Sequence, residues 1–540
     1  MKARLGVAAG AAALCTAAAL IAGSTVAGAS PAAGGEKAVG SGTLLYPDQL
    51  LVSGSTYETD SSLVAGQTQL PPGCTTGCVT ATANGTYPQV FNNVLADPSF
   101  GVTAPIFLQE ISTATGNPLG QINVPTSDLV TSFSSKSELA LNLSPDDSDV
   151  SFVGYVAKPD TVDVSNANTP GVIDPTNPVP GAYYRAVAQL TQGGQFKFTE
   201  TNAYSGDNGR AAITADVNGQ QLIYTSGNAG NGSNPQPDGV ILGAGAQLIK
   251  PSNQPESAQS PGTPTPVGSF SVTELGDKAD KVGKDDNFRG LTIYNNVLYY
   301  TKGSGSNGVN TVYFLDTTGK ACPNGVGVPA ANAQLPTSPL AYNTATLQTS
   351  GLPSNMCILK GFPTTLAKSA TQFPFGLWFA NADTLYVADE GNGTDTYANG
   401  QYTAAAADSS AGLQKWVFNS STGSWQLAYT LQGGLNLGQP YTVRGYPTGT
   451  NAATGLPWSP ATDGLRNITG RVNANGTVTI WAITSTVSGG GDQGADPNKL
   501  VEITDPLSAT SAGSDAFRTL ETASFGEVLR GVTFTPGSSF

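Results

Sequence analysis

The same short pattern of two β-strands recurs six times along the chain. Each copy begins with a strand of alternating apolar residues, and most continue through a tight polar turn to a second strand rich in Tyr or Trp. The copies begin at Glu138, Arg210, Arg289, Phe375, Arg466 and Arg530. There is no long amphipathic helix, and only 11% of the residues are charged, which is low for the wet faces of a helical protein. The pattern predicts an all-β fold.

Each repeat has room for four strands, but the copy that begins at Arg530 contains only the first strand and lacks the three outer ones. Several other copies are followed by further strands, such as those expected at 413–418 and 425–431 after Phe375. Near the N-terminus, three further segments can supply the missing strands: 50–57, 104–111 and 121–124. We therefore expect a β-propeller of six four-stranded blades, whose ring is closed by strands from both termini. A seventh blade within 320–360 and a tandem of β-sandwiches are the alternatives.

The first residues have the parts of a secretory signal peptide. Lys2 and Arg4 form a basic start, an apolar run follows at 5–22, and residues 27–29 are small. We expect residues 1–29 to be a signal peptide that is cleaved on export.

The rest of the chain is expected to be one domain. Residues 30–49 are predicted to be a flexible N-terminal segment, 50–536 the propeller, and 537–540 a short tail. The formal net charge of −14 disfavours binding to nucleic acid or to anionic membranes. The tail has no apolar anchor, so we expect a secreted, extracellular monomer that does not insert into a membrane.

Four cysteines follow the predicted signal peptide: Cys74, Cys78, Cys322 and Cys357. An even number in an exported protein indicates two disulfides, and four cysteines allow three pairings. We favour Cys74–Cys78 and Cys322–Cys357, each closing a loop between strands. A zinc site is the alternative, but one C-x3-C pair without a second clustered pair matches such sites poorly.

Long loops are expected on one face of the ring. They connect second to third strands at 157–182, 227–238, 303–310, 391–412 and 487–498, and they enter first strands at 251–287, 361–374 and 432–464. Tight turns at 144–149, 218–219 and 473–476 are expected on the opposite face. Loops of this length are uncommon unless they are functional or disordered, so the long-loop face is the candidate binding face. Tolerated surface insertions are the alternative.

Four arginines occupy the same repeat position at the start of an innermost strand: Arg210, Arg289, Arg466 and Arg530. The repeat would bring them together at the channel mouth on the long-loop face. Such a ring of planar donors would hold a carboxylate, phosphate or sulfate. Alternatively, each arginine pairs with an acid of a neighbouring blade, and the candidates are Asp207, Asp285, Asp286, Asp389, Glu390 and Asp463.

One loop gathers oxygen ligands of the kind that calcium prefers. Asp389 and Glu390 are followed by Asn392 and Asp395. Asp492 and Asp496 form a second, smaller acidic group. Neither matches the EF-hand spacing, so solvated acidic loops are the alternative. Calcium is the only cofactor that the sequence suggests.

Eight segments of the chain carry a resemblance to known proteins: Ser137–Glu138, Gly154–Tyr155, Asn208–Arg210, Gly361–Thr364, Thr384–Glu390, Gly412–Trp416, Trp425–Leu431 and Phe525–Pro536. Together they resemble a family of secreted bacterial β-propeller-like proteins of unassigned function. Many relatives carry a C-terminal sorting tail, which is missing here, and the segment with Cys74 and Cys78 is an insertion. Because the family has no agreed activity, the resemblance implies a propeller fold and no particular chemistry.

The chain contains no histidine, which excludes Ser-His-Asp and Cys-His catalysis as well as His-ligated zinc or haem. A binding module that recognises an extracellular glycan, an anion or a protein needs the fewest assumptions. A sialidase-like or other carboxylate-dependent glycan hydrolase is the enzymatic alternative. The S-x-D-x-G-x-x-W boxes of sialidases are absent, and Ser420–Trp425 is shorter and has no Asp. A structural extracellular protein is the third possibility, and we assign no catalytic residue.

Overall fold

A computed structural model describes residues 44–57, 63–70, 78–82, 101–133, 139–173, 177, 179–228, 245–251, 287–305, 308–338, 356–490 and 492–539. The predicted signal peptide and several singled-out residues lie outside these ranges, namely Cys74, Glu138, Asp285 and Asp286. Almost all regular structure in the described residues is β-strand. One helix, α1 (Thr403–Ala407), and the 3-10 turns Val164–Asn166, Ala367–Ser369 and Gln493–Ala495 are the exceptions among them.

The strands are numbered in chain order. They are β1 (Leu50–Thr56), β2 (Gln69–Leu70), β3 (Val79–Thr80), β4 (Thr103–Ala104), β5 (Ile106–Ile111), β6 (Pro118–Asn123), β7 (Thr131–Ser132), β8 (Asn142–Leu143), β9 (Asp149–Tyr155), β10 (Arg185–Thr191), β11 (Phe196–Thr201), β12 (Gly209–Val217), β13 (Gln220–Gly227), β14 (Ala246–Ile249), β15 (Leu291–Tyr294), β16 (Val297–Lys302), β17 (Thr311–Leu315), β18 (Val326–Gly327), β19 (Met356–Leu359), β20 (Pro374–Asn381), β21 (Thr384–Asp389), β22 (Tyr397–Ala398), β23 (Gln401–Tyr402), β24 (Gly412–Asn419), β25 (Ser424–Leu431), β26 (Ala461–Val472), β27 (Thr477–Val487), β28 (Lys499–Pro506), β29 (Arg518–Thr522) and β30 (Glu527–Phe534).

Six sheets form the blades of a β-propeller, as predicted. From the innermost strand outwards, blade 1 contains β8, β9, β10 and β11, and blade 2 contains β12, β13 and β14. Blade 3 contains β15, β16, β17 and β19, with β18 added in parallel at its outer edge. Blade 4 contains β20, β21, β24 and β25, and blade 5 contains β26, β27, β28 and β29. The described residues between 320 and 360 extend blade 3, so they form no seventh blade.

Blade 6 combines both ends of the chain. Its innermost strand, β30, pairs antiparallel with β1, from Leu50 opposite Phe534 to Thr56 opposite Glu527. β5 and then β6 complete the sheet on the outside. Next to these strands, the Asp48 amide donates to Ser538 Oγ at 2.8 Å. The prediction of closure by N-terminal strands is therefore confirmed, and the edge of β30 is paired rather than open.

Neighbouring blades are joined by a recurring hydrogen bond. A buried hydroxyl on the second strand of one blade donates to a carbonyl at the start of the next blade. The pairs are Ser53 with Leu139 (2.6 Å), Ser151 with Ala212 (3.0 Å), Ser226 with Arg289 (3.2 Å), and Thr301 with Phe375. These bonds satisfy carbonyls that the innermost strands cannot satisfy within their own sheet.

A wholly buried ion pair connects blades 4 and 5. Lys415 on β24 contacts Asp505 on β28 with an Nζ–Oδ2 distance of 3.0 Å, and both side chains are 0% exposed. The hydroxyls of Tyr386 and Tyr429 donate to the same carboxylate. Apolar side chains of both blades surround this group, including Ile480. The pair is thus fully hydrogen-bonded, which a buried charge requires.

The disulfide Cys322–Cys357 is present and ties the segment after β17 to β19, with a Cα–Cα distance of 5.9 Å. Cys78 is also disulfide-bonded, but Cys74 lies outside the described residues, so that pairing stays a prediction. Among the described residues, no helix has the length and apolar character needed to span a membrane.

Candidate functional site

A polar cavity of about 560 Å³ lies where the long loops of blades 3, 4 and 5 meet. Its wall includes Ser304 and Asn310 from the loop of blade 3, Asn392 from that of blade 4, and Asp492 from that of blade 5. We call it the loop-face cavity. The opposite ends of the strands are joined by tight turns, where Asn218 and Asn295 adopt positive φ angles of 57° and 48°. Five of the predicted long-loop ranges therefore contribute residues to one cavity, namely 303–310, 361–374, 391–412, 432–464 and 487–498.

The four arginines at the repeat position do not share one environment. Arg289 and Arg466 line the loop-face cavity, whereas Arg210 and Arg530 are not among its lining residues. Arg210 and Arg530 are only 4% and 5% exposed. Arg210 Nε donates to Asn208 Oδ1 at 3.1 Å, and Arg530 Nη2 donates to the carbonyl of Phe133 at 3.4 Å. The structure thus brings together two of the four.

Glu390 links the two cavity arginines. Its Oε2 lies 3.2 Å from Arg466 Nε, and its Oε1 lies 3.9 Å from Arg289 Nη2. Glu390 follows β21 in blade 4, and the arginines belong to blades 3 and 5 on either side. These two arginines are therefore paired with an acid of a neighbouring blade, which was the alternative interpretation of the repeat-position arginines.

Phe375 holds the repeat position in blade 4 that arginine holds in the two adjacent blades. The guanidinium carbons of Arg289 and Arg466 lie 5.6 Å and 5.7 Å from the centroid of its ring. Cation–π attraction to the Phe375 ring therefore helps to orient both arginines. The repeat pattern did not predict this role, although Phe375 is a visible exception at a position that is arginine in four other copies.

The two cavity arginines differ in how many donors they retain. Arg289 Nε and Nη2 both donate to Ser304 Oγ, the former at 2.9 Å. Arg466 donates from Nε to Glu390, and its Nη1 and Nη2 groups have no acceptor among the described residues. The Arg466 side chain is 15% exposed. Its outer edge is consequently available to a ligand in the cavity.

Asp463 is a buried acid of the cavity wall. It is 2% exposed; its Oδ2 accepts from the Gly393 amide at 2.8 Å, and its Oδ1 has no partner in the described part of the chain. Burial raises the pKa of Asp463 to about 7 despite that hydrogen bond, with smaller contributions from Asp408 and Glu390, while Arg466 lowers it. Asp463 therefore changes protonation near neutral pH.

The predicted calcium loop is built largely from internal hydrogen bonds. Asp389 is fully buried and accepts from the amides of Phe373 and Gly391 at 2.8 Å and 3.0 Å, and burial raises its pKa well above the usual range. Asn392 Nδ2 donates to Asp408 at 2.9 Å, and Asp395 is exposed. Calcium binding here stays a prediction.

The second acidic group lies beside the same cavity. Asp492 accepts from the Gly494 amide at 3.0 Å and caps a 3-10 turn, and Asp496 accepts from the Tyr446 hydroxyl. Burial raises the pKa of Asp496 to about 7. In the described ranges, the only group with three possible metal-ligand atoms within reach is Asp316 with Cys322 and Cys357, and these cysteines already form the disulfide.

The sequence matches no protein-family model and no curated protein. Among solved structures, the chain is similar to an ulvan lyase of a polysaccharide lyase family, determined with and without a bound saccharide. Both comparisons give 10% identity and a TM-score of 0.30 and cover 80% of this chain and 90% of that one. A Saccharomyces cerevisiae complex of Dbp5, Nup159 and Gle1 gives 8% identity and a TM-score of 0.26, with 91% and 96% covered. Scores this low carry no functional argument.

Proposed function

We propose that the protein is a binding module that takes an extracellular glycan in the loop-face cavity. The open Nη1–Nη2 edge of Arg466 is the observation that carries this proposal, since it offers donors inside a preformed polar cavity. Acceptors stand close by on Glu390, and Asn392 and Thr486 add neutral polar groups to the wall. Saccharide hydroxyls both donate and accept, so a wall that mixes both kinds of group suits them.

Charge makes a glycan a better ligand than a small, highly charged anion. Arg289 and Arg466 are partly neutralised by Glu390, and the cavity wall also carries Asp395 and Asp492. A phosphate or sulfate with no other contacts would meet these carboxylates as well as the arginines. A larger ligand with many hydroxyl groups can use the whole wall instead of the two cations alone.

The enzymatic alternative receives less support. A sialidase-like mechanism needs a tyrosine nucleophile, and no tyrosine is among the described residues that line the cavity. Glu390 is engaged by the guanidinium groups of both Arg289 and Arg466, so its two oxygens already have partners. We therefore favour binding without turnover.

The proposal includes export and a monomeric state. The predicted signal peptide at 1–29 supports export, and the disulfide Cys322–Cys357 is of the kind found in oxidising compartments. Membership in the secreted bacterial family of unassigned function that the sequence resembles remains part of this proposal.

A glycan array tests the proposed function. The labelled protein should bind a defined subset of oligosaccharides, and Arg466→Gln should lose that binding. Arg518→Gln is the matched control, because Arg518 is 58% exposed on an outer strand and pairs with Glu502 away from the cavity. Absence of saccharide binding in the wild-type protein would refute the proposal, and self-assembly without a ligand would favour a structural role.

A further inference from the structure

We propose that the bound glycan carries a carboxylate, that this carboxylate binds the Nη1–Nη2 edge of Arg466, and that Asp463 makes the binding depend on pH. This inference rests on the proposed function and specifies its ligand. Two observations meet at this point of the cavity: an arginine with an unused pair of donors, and a buried carboxyl group with an unpartnered oxygen.

The geometry of Arg466 fits a carboxylate. Its Nε contacts Glu390 at 3.2 Å and its guanidinium carbon lies 5.7 Å from the centroid of the Phe375 ring, so two contacts hold the plane of the group. The remaining edge presents two parallel N–H groups, which match the two oxygens of a carboxylate. Because the Arg466 side chain is already oriented, it loses little conformational entropy when a ligand binds.

The surrounding charges permit a ligand carboxylate when Asp463 is neutral. Arg289 and Arg466 line the cavity, and the buried ammonium of Lys302 lies behind Ser304 and Asn310, to which it donates at 2.8 Å and 3.0 Å. Glu390 is the acid in contact with the two arginines. This side of the cavity therefore carries more positive than negative charge.

Ionisation of Asp463 reduces that excess of positive charge. The charged groups that act on Asp463 are Asp408, Glu390 and Arg466, and Asp395 and Asp492 complete the acids of the cavity wall. Below about pH 7 the carboxyl group is protonated and adds no negative charge beside the ligand carboxylate. Above that pH it is an additional negative charge beside the ligand carboxylate, so affinity should fall as pH rises.

Matched saccharides separate this inference from the proposed function. Oligosaccharides of glucuronic, galacturonic and mannuronic acid are compared with their carboxyl-reduced counterparts by calorimetry at pH 5.5 and 8.5. At least one uronate should bind about tenfold more tightly than its reduced form at pH 5.5, as expected for one charge-assisted contact. The same uronate should lose about tenfold in affinity at pH 8.5.

Two variants assign these effects. Asp463→Asn keeps an acceptor for the Gly393 amide and should bind the uronate equally at both pH values. Arg466→Lys keeps the charge but not the paired donors, and it should lose most of the preference for the uronate, whereas Arg518→Lys should keep it. If Asp463→Asn does not fold, Asp463→Ser, which also lacks the ionisable group, takes its place.

The outcomes are distinct. If no member of any pair binds, the proposed function itself fails. If a uronate and its reduced form bind equally, or if binding does not change between the two pH values, glycan binding stands and this inference is wrong. If the pH dependence persists in Asp463→Asn, another group is responsible and the role of Asp463 is refuted.

Discussion

Replacing Lys415 by methionine should cause one of the largest losses of stability that a single substitution can produce in this protein. The ammonium group is wholly buried, and its three N–H donors are shared among five acceptors at 2.8–3.2 Å: Asp505, the Tyr429 hydroxyl, and the carbonyls of Pro506, Leu507 and Ala509. Methionine would remove the donor to these carbonyls and the positive charge that pairs with Asp505, leaving the buried carboxylate with only the Tyr386 and Tyr429 hydroxyls. Breaking a buried pair in this way costs about 3–5 kcal/mol.

Guanidinium chloride unfolding followed by tryptophan fluorescence measures the cost, because Trp416 adjoins Lys415 on β24. Lys360→Met is the matched control: the Lys360 ammonium makes an exposed contact with the Thr422 carbonyl, and its loss should cost at most about 0.5 kcal/mol. The double variant Lys415→Met with Asp505→Leu should be less destabilised than the sum of its single variants. A Lys415→Met cost below about 1 kcal/mol, or strict additivity, would refute the reasoning.

Three further predictions concern stability. Burial raises the pKa of Asp496 from 3.8 in the unfolded chain to about 7, so the folded protein holds the proton more tightly. The free energy of unfolding should therefore fall as pH rises from 4 to 7. Asp496→Asn should reduce this fall by up to about 4 kcal/mol, which urea unfolding across that pH range measures. Gly391→Ala should lower the melting temperature strongly, since its Cβ would lie 2.5 Å from the Asp463 carboxyl group. Gly393 has a similar positive φ but open space around it, so Gly393→Ala should cost only about 1 kcal/mol of stability. Equal effects of the two substitutions would contradict this explanation. Thr301→Val should cost about 1–3 kcal/mol in denaturant unfolding, because it leaves a buried carbonyl without its donor, and an unchanged midpoint would show that the bond between the blades contributes little.

The asymmetry of the ring explains why the cavity lies over blades 3 to 5. Blades 2, 3, 5 and 6 carry arginine at the repeat position, but blade 4 carries Phe375, and Glu390 comes from the same blade. Phe375 carries no charge, and the arginines of both neighbouring blades lie over its ring and contact one acid, Glu390. The departure from the repeat thus creates the candidate site.

Much of the fold could be predicted because its signals are local. Alternating residues and turn residues located the strands, and the incomplete last repeat indicated closure by β1, β5 and β6, which the structure confirms. The extra strand β18 in blade 3 was not predicted, since two residues in parallel pairing leave no periodic pattern. Asn218 and Gly219 marked a tight turn because both residues tolerate positive φ angles.

The site required the tertiary structure. The sequence by itself determined the repeat, the strand order and the residue types at the start of each innermost strand, because these follow from periodicity within a few residues. It could not determine that Arg466 contacts Glu390, 76 positions away, while Arg210 and Arg530 are buried elsewhere. Nor could it show that Asp463 has a pKa of about 7, because that value comes from burial and from charges on other blades. Protonation and pairing depend on distances across the folded ring, and those distances exist only once the blades have packed together.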